Sequence, residues 1–131
     1  MKKILILVEN IELAAELNDS RTAEKIWYSL PIEGIVNTWG DEIYFSIDET
    51  IELEKDASAI VSSGDLAYWP PGKAFCIFFG PTPASTESEI RAASAVNVFG
   101  KITGDTQVLK QVRSGVRIRI EKTGQQSNFL D

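Results

Sequence analysis

The sequence contains no histidine, one cysteine, and one methionine, which is residue 1. Without histidine, Ser-His-Asp and Cys-His nucleophile pairs are excluded, as is the side chain that does most acid-base work near neutral pH. One Cys and no His cannot build the soft shell that zinc prefers, so no metal site and no cofactor are expected. Cys76 has no partner for an internal disulfide, and within Ala74-Phe75-Cys76-Ile77-Phe78-Phe79 it is expected to pack as a small apolar group. That segment is also the longest apolar run, far below the roughly 18 residues of a membrane span. The apolar stretch Ile4 to Val8 meets Glu9 at once and is too short for a secretory signal, so a cytoplasmic protein without a membrane partner is expected. Over most of the chain no run of Lys and Arg interrupts an acidic balance, with a net charge of −6 and a pI near 4.7. Such a field repels phosphate backbones, so nucleic acid is not an expected partner.

What is present is an ordinary globular composition, 44% hydrophobic and 24% charged over 131 residues. A chain of this size buries roughly two thirds of its unfolded surface around one core, and one domain spanning residues 1–124 is expected. Strand patterns dominate. Lys2 to Val8 is apolar on both faces, as in a central strand, and Ile11, Leu13, Ala15 and Leu17 alternate with Glu12, Ala14 and Glu16 after a turn at Asn10. Ile43, Phe45 and Ile47 alternate with Glu42, Tyr44 and Ser46. Asp65 to Trp69 and Ala74 to Phe79 are dense β-aromatic runs flanking Pro70-Pro71-Gly72, an irregular turn where a cis peptide bond at either proline is an open alternative. Ala59 to Val61 reads as a short edge strand, Val96 to Ile102 as another strand, and Val116, Ile118 and Ile120 alternate in a last one.

Two short helices complete the pattern. One starts under a Ser20 or Asp19 cap, carries Ala23, Ile26, Trp27 and Leu30 at helical spacing, and ends at Pro31. The other runs from Asp105 to Val112 and buries Val108, Leu109 and Val112. Gly80 to Val96 reads as a small, polar connection, longer than is usual in a compact domain. The tail Gln125 to Asp131 lacks periodicity and is expected to fray, although Phe129 and Leu130 are able to dock. Eight short strands and two helices suit a closed β-barrel, which leaves no exposed edges, with a two-sheet sandwich as the competing architecture.

Residues Asn37-Thr38-Trp39-Gly40-Asp41-Glu42-Ile43-Tyr44-Phe45 and the stretch from Gly64 through Trp69-Pro70-Pro71-Gly72 to Pro83 resemble a prokaryotic cyclophilin-like family of unassigned function, as do Pro31-Ile32-Glu33-Gly34 and Arg91-Ala92-Ala93. The likeness runs from about Lys2 to Lys122. It implies an eight-stranded, cyclophilin-type barrel with helices closing its ends, and it implies no reaction. True cyclophilins surround the substrate proline with a Phe-His-Arg strand and further Gln, Phe, Trp and His positions. This chain has no Phe-His-Arg and no His, so those catalytic residues do not carry over.

The candidate site therefore rests on the residues themselves. Trp39, Tyr44, Tyr68, Trp69, Phe75 and Phe78 exceed the aromatic surface that packing alone requires, and alternation assigns about half of them to the core. Trp39 and Trp69, next to turns, are the better candidates for an exposed concavity. Glu42 beside Asp41 offers a carboxylate pair for acid-base work or a hard cation, against the plainer expectation of two solvated acids. Thr82, between Pro81 and Pro83, offers a hydroxyl to a ligand. The expected ligand-binding set is Trp39, Glu42, Tyr44, Trp69, Phe78, Thr82 and Arg91.

Three functional classes follow. The first is a binding module holding a small apolar molecule or a proline-containing peptide among these aromatics. The second is a histidine-free prolyl isomerase. Its barrier of ~18–20 kcal/mol comes from amide resonance, which Arg91 would weaken by donating to the prolyl nitrogen. The competing role for Arg91 is a surface ion pair with Glu87 or another carboxylate. The third is a structural homo-oligomer assembled through exposed aromatics and the Phe129-Leu130 tail. The basic residues Arg113, Arg117, Arg119 and Lys122 form a modest stripe, read as a solvated face or as a contact for an anionic or identical partner.

Overall fold

The computed structural model describes residues 2–123, so the expected fraying of the tail and the docking of Phe129 and Leu130 lie outside the described residues. The chain is mostly β. In order it forms β1 (Lys3–Val8), β2 (Ile11–Leu17), α1 (Arg21–Ser29), β3 (Ile32–Ile35), β4 (Asn37–Thr38), β5 (Glu42–Ser46), β6 (Ser58–Val61), β7 (Asp65–Trp69), β8 (Ala74–Phe78), β9 (Ile90–Ile102) and β10 (Arg117–Lys122). All pairings are antiparallel, and the ladders follow the path β3-β10-β1-β2-β9-β7-β8-β5-β4, with β6 attached to β9.

Three expectations need correction. Among the described residues there are ten strands rather than eight, because Ile32–Ile35 and Asn37–Thr38 also form strands, paired with β10 and β5. Among the described residues the ring of ladders does not close: its terminal strands β3 and β4 follow one another in the chain across Val36, and no ladder joins β3 to β5. Gly34 lies so close to Phe45 that a Cβ there would sit 2.6 Å from the ring, so ring packing occupies the space between β3 and β5. Finally, β9 starts at Ile90, six residues before Val96, and shortens the expected loop. Its first half is rich in Ala and Ser and carries no apolar alternation of its own; β6 pairs with it from Val61↔Ile90 to Ser58↔Val96 and supplies the missing hydrogen bonds.

The two helices are α1 and a 3-10 helix at Thr106–Gln111, and a single 3-10 turn covers Pro70–Gly72. Ser20 caps α1 by accepting from the Ala23 N–H at 3.1 Å, as its position ahead of the apolar stripe predicts. The cis peptide bond is Leu30–Pro31 rather than one at Pro70 or Pro71. No helix among the described residues is long and apolar enough to cross a membrane.

Alternation along the strands sorts the sheet into two faces. The inner face joins Ile4, Ile6, Ile43, Leu66, Tyr68, Ile77, Ile118 and Ile120 in the main core. At its centre Phe75 stacks on Phe45 and meets Phe99 edge-on, with both centroid separations at 5.0 Å. The Tyr68 hydroxyl, buried in that core, donates to the Glu49 carbonyl at 2.6 Å and ties down the irregular segment between β5 and β6. Asn97 anchors the same segment: its side chain donates to the Glu52 carbonyl and accepts from the Glu54 N–H, both at 2.9 Å. The outer face carries a second, smaller apolar cluster made of Val61, Ala67, Ala74, Cys76, Phe78, Ala92 and Val96.

Candidate functional site

The outer-face cluster is incomplete, and the gap is the site. Register sets Tyr44 on β5 opposite Cys76 on β8, which in turn faces Ala67 on β7; Glu42 stands opposite Phe78 and Trp69 opposite Ala74. Three small side chains, Ala67, Ala74 and Cys76, thus occupy the middle of a face whose margins hold Tyr44, Trp69 and Glu42. A pocket of about 290 Å³ lies there, lined by Trp39, Glu42, Tyr44, Trp69, Ala92, Ala93 and Val96.

Each wall is held in place from outside the pocket. Trp69 donates its indole N–H to the Ser94 hydroxyl at 2.7 Å, and a Cβ on Gly72 would come within 2.9 Å of its six-membered ring. The indole is thereby fixed between β9 and the Pro70–Gly72 turn. Trp39 sits on the β4–β5 turn, whose tightness depends on Gly40 at φ +61°. A Cβ at Gly40 would lie 2.9 Å from the Pro81 carbonyl oxygen and the Thr82 Cα, and the Asp41 N–H donates to that carbonyl at 2.9 Å. The Trp39 turn is therefore clamped by the segment that follows β8.

Thr82 organises that clamp. Its N–H donates to the Ser85 hydroxyl at 2.9 Å and its own hydroxyl donates to the Arg91 carbonyl, leaving the side chain buried and committed to the loop rather than facing the pocket. Phe78 is fully buried beneath the outer face and packs in the same cluster as Tyr44 and Trp69. Arg91 lies on β9, not on a loop, and pairs with Glu89 at 2.8 Å, the carboxylate pairing expected on plain grounds. The pocket thus unites Trp39, Glu42, Tyr44 and Trp69, with Phe78 and Thr82 supporting it from behind and Arg91 turned to a neighbouring acid. Its remaining lining, Ala92, Ala93 and Val96, escaped sequence reasoning because small residues in an Ala-Ser run give no signal until β6 and β7 show where β9 runs.

Glu42 departs most from expectation. It is only 6% exposed rather than solvated. Burial pushes its carboxyl up to about 7, opposed by the neighbouring Cys76 thiol. The same burial, with Glu42 beside it, drives the Cys76 thiol well above its ordinary value, so the thiol stays protonated at neutral pH. Asp41 is not the second half of a carboxylate pair, since it bridges to Lys110 at 3.1 Å. The stripe on β10 is likewise committed in part, with Arg119 bound to Glu33 and Glu121 and Lys122 lying over Trp27 at 4.7 Å. Among the described residues no three or more His, Cys, Asp or Glu side chains gather closely enough to hold a metal ion.

A β-sheet domain with an aromatic pocket on its outer face is the class that this architecture defines. The sequence profile of the cyclophilin-like family matches residues 2–121, and the chain belongs to that family. It is similar over 93% of its length to a hypothetical protein of Archaeoglobus fulgidus known from its solution structure, at 39% identity and a TM-score of 0.77, covering 95% of that chain. The structure of McbB in complex with tryptophan shares the fold at 16% identity and a TM-score of 0.72, with 93% of this chain matched to 45% of that one. No curated protein sequence matches the chain.

Proposed function

We propose that this protein is a cytoplasmic small-ligand-binding domain whose site is the pocket between Trp39, Glu42, Tyr44 and Trp69. One observation carries the reading: three aromatic side chains border a cavity of about 290 Å³ on the face of the sheet that the main core does not use. That volume is at the lower end of small-molecule sites, so it suits a compact ligand or a single side chain rather than a long peptide. Tryptophan, the molecule held by McbB, is a ligand of compact size; at 16% identity that neighbour speaks for the fold and assigns no residue here. The isomerase reading has less support, because its one candidate donor, Arg91, is bound to Glu89 and does not line the pocket.

The test is an amide and indole NMR titration of the full chain with a panel of compact aromatic and aliphatic molecules and Xaa-Pro dipeptides. We expect saturable shifts of the Trp39 and Trp69 indole signals with at least one compact ligand, while Trp27, packed against the main core, stays still. Shifts confined to other regions, or none from any compound, would overturn the reading. Faster cis-trans exchange of a dipeptide that is lost in Arg91→Ala would restore the isomerase.

A further inference from the structure

The pocket contains an acid without a base. Glu42 is its one acidic lining residue, and the other ionisable one is the Tyr44 phenol. Among the described residues no Lys or Arg forms an ion pair with Glu42. Arg91, next to the lining residue Ala92, pairs with Glu89, and Lys110 pairs with Asp41, the chain neighbour of Glu42. A carboxylate removed from water without a counter-ion is costly, and a pocket that retains one has a place for a positive charge. Its aromatic walls favour the same charge, since Trp and Tyr rings attract cations through their negative faces. Trp69 is especially suited, because its N–H is already taken by Ser94 and its ring is what remains for a ligand. The net charge of −6 adds a general attraction for cations.

We propose that the ligand of this pocket is a small organic cation, an amine or ammonium on a compact apolar body, held by the Glu42 carboxylate and the rings of Trp39, Tyr44 and Trp69. This inference rests on the small-ligand reading above and specifies its chemistry. The ammonium replaces the missing counter-ion, and Glu42 gives up its proton to solvent as the ligand enters. The groups packed around Glu42 do not mask this exchange: β8 presents the Cys76 thiol, which stays protonated, β5 the Tyr44 phenol, and β7 and β9 the uncharged Trp69, Ala92, Ala93 and Val96. Affinity for a cation must then rise with pH until Glu42 is ionised and level off above about 7.

The experiment compares phenethylamine with 2-phenylethanol, which share a body and differ in charge, by the Trp39 and Trp69 indole shifts of the full chain from about pH 5.5 to about pH 8.5, where the amine stays protonated. We expect the amine to bind at least tenfold more tightly than the alcohol at the alkaline end, with that advantage shrinking toward the acid end. Glu42→Gln should remove the advantage of the amine over the alcohol and flatten the pH profile. If that variant fails to fold, the wild-type pH profile decides alone. Equal or tighter binding of the alcohol would overturn the cation and leave the pocket standing. Silence of both indoles toward both compounds, and toward the wider panel, would overturn the pocket and the cation together.

Discussion

Along β5, Ile43 and Phe45 turn inward to a core with Phe75, Ile77 and Tyr68, while Glu42 and Tyr44, one residue out of phase, turn outward beside Cys76, Phe78 and Trp69. The same strands build both faces, yet the inner face is filled by large side chains, while the outer one holds the small Ala67, Ala74 and Cys76 at its middle. A close-packed face has no room for a ligand and does not admit a charge. A face with small residues at its centre and large ones at its margins leaves a hollow, and its partial access to water lets an acid persist there at a cost. The filled core and the pocket are thus separated by the pleat of the sheet, with the first on the inner face and the second on the outer.

Substitutions on the two faces should accordingly differ in kind. The largest effect is expected from Phe75→Ala, which removes the ring shared by Phe45 and Phe99 and should cost about 3 to 5 kcal/mol in denaturant unfolding. A loss below about 1 kcal/mol there would break the distinction between a filled face and a hollow one.

On the outer face, Glu42→Gln should act in the opposite direction. The native carboxyl titrates near 7 and the unfolded one near 4.5, so between those values the folded state holds a proton that the unfolded state has lost. Wild-type stability therefore falls as pH rises through this window, and the variant should become the more stable protein above it, by at most about 3 kcal/mol and less where pocket water screens the charge. Below about pH 4.5 this contribution should vanish. A variant that is less stable than the wild type at alkaline pH would show that Glu42 is held by favourable bonds and not merely buried.

Smaller effects sharpen the contrast. Ser94→Ala should cost about 1 kcal/mol or less, yet release the Trp69 indole, visible as a shifted and broadened Nε1–H signal in NMR. Last, Cys76 should resist alkylation at neutral pH as long as the chain is folded, because it is buried and its thiol is held protonated. Rapid labelling under native conditions would mean that the outer face opens.

Much of the fold was legible in the residues. Period-2 alternation located the strands around Leu13, Phe45 and Ile118, since each apolar side chain on a pleated strand must find the core side, and apolar or β-aromatic runs located those around Ile4, Tyr68 and Phe75. Trp39 and Trp69 were identifiable as pocket residues from their place beside turns rich in Gly and Pro. Glu42 was not: an acid next to Asp41 and a turn reads as solvated, yet it is buried opposite Phe78 on β8, in a pocket that Trp39 also lines. Arg91 read as a loop residue near the aromatics, because the strand that carries it is written in Ala and Ser.

By itself, then, the sequence determined the β class, the alternation that divides strands into two faces, and the absence of histidine chemistry, all of which follow from local pattern and composition. The tertiary structure alone decided which acid loses its water, which arginine finds a carboxylate, and where ten strands leave a hollow. Those outcomes depend on residues far apart in the chain meeting across ladders, and desolvation and ion pairing are properties of that meeting rather than of any residue alone.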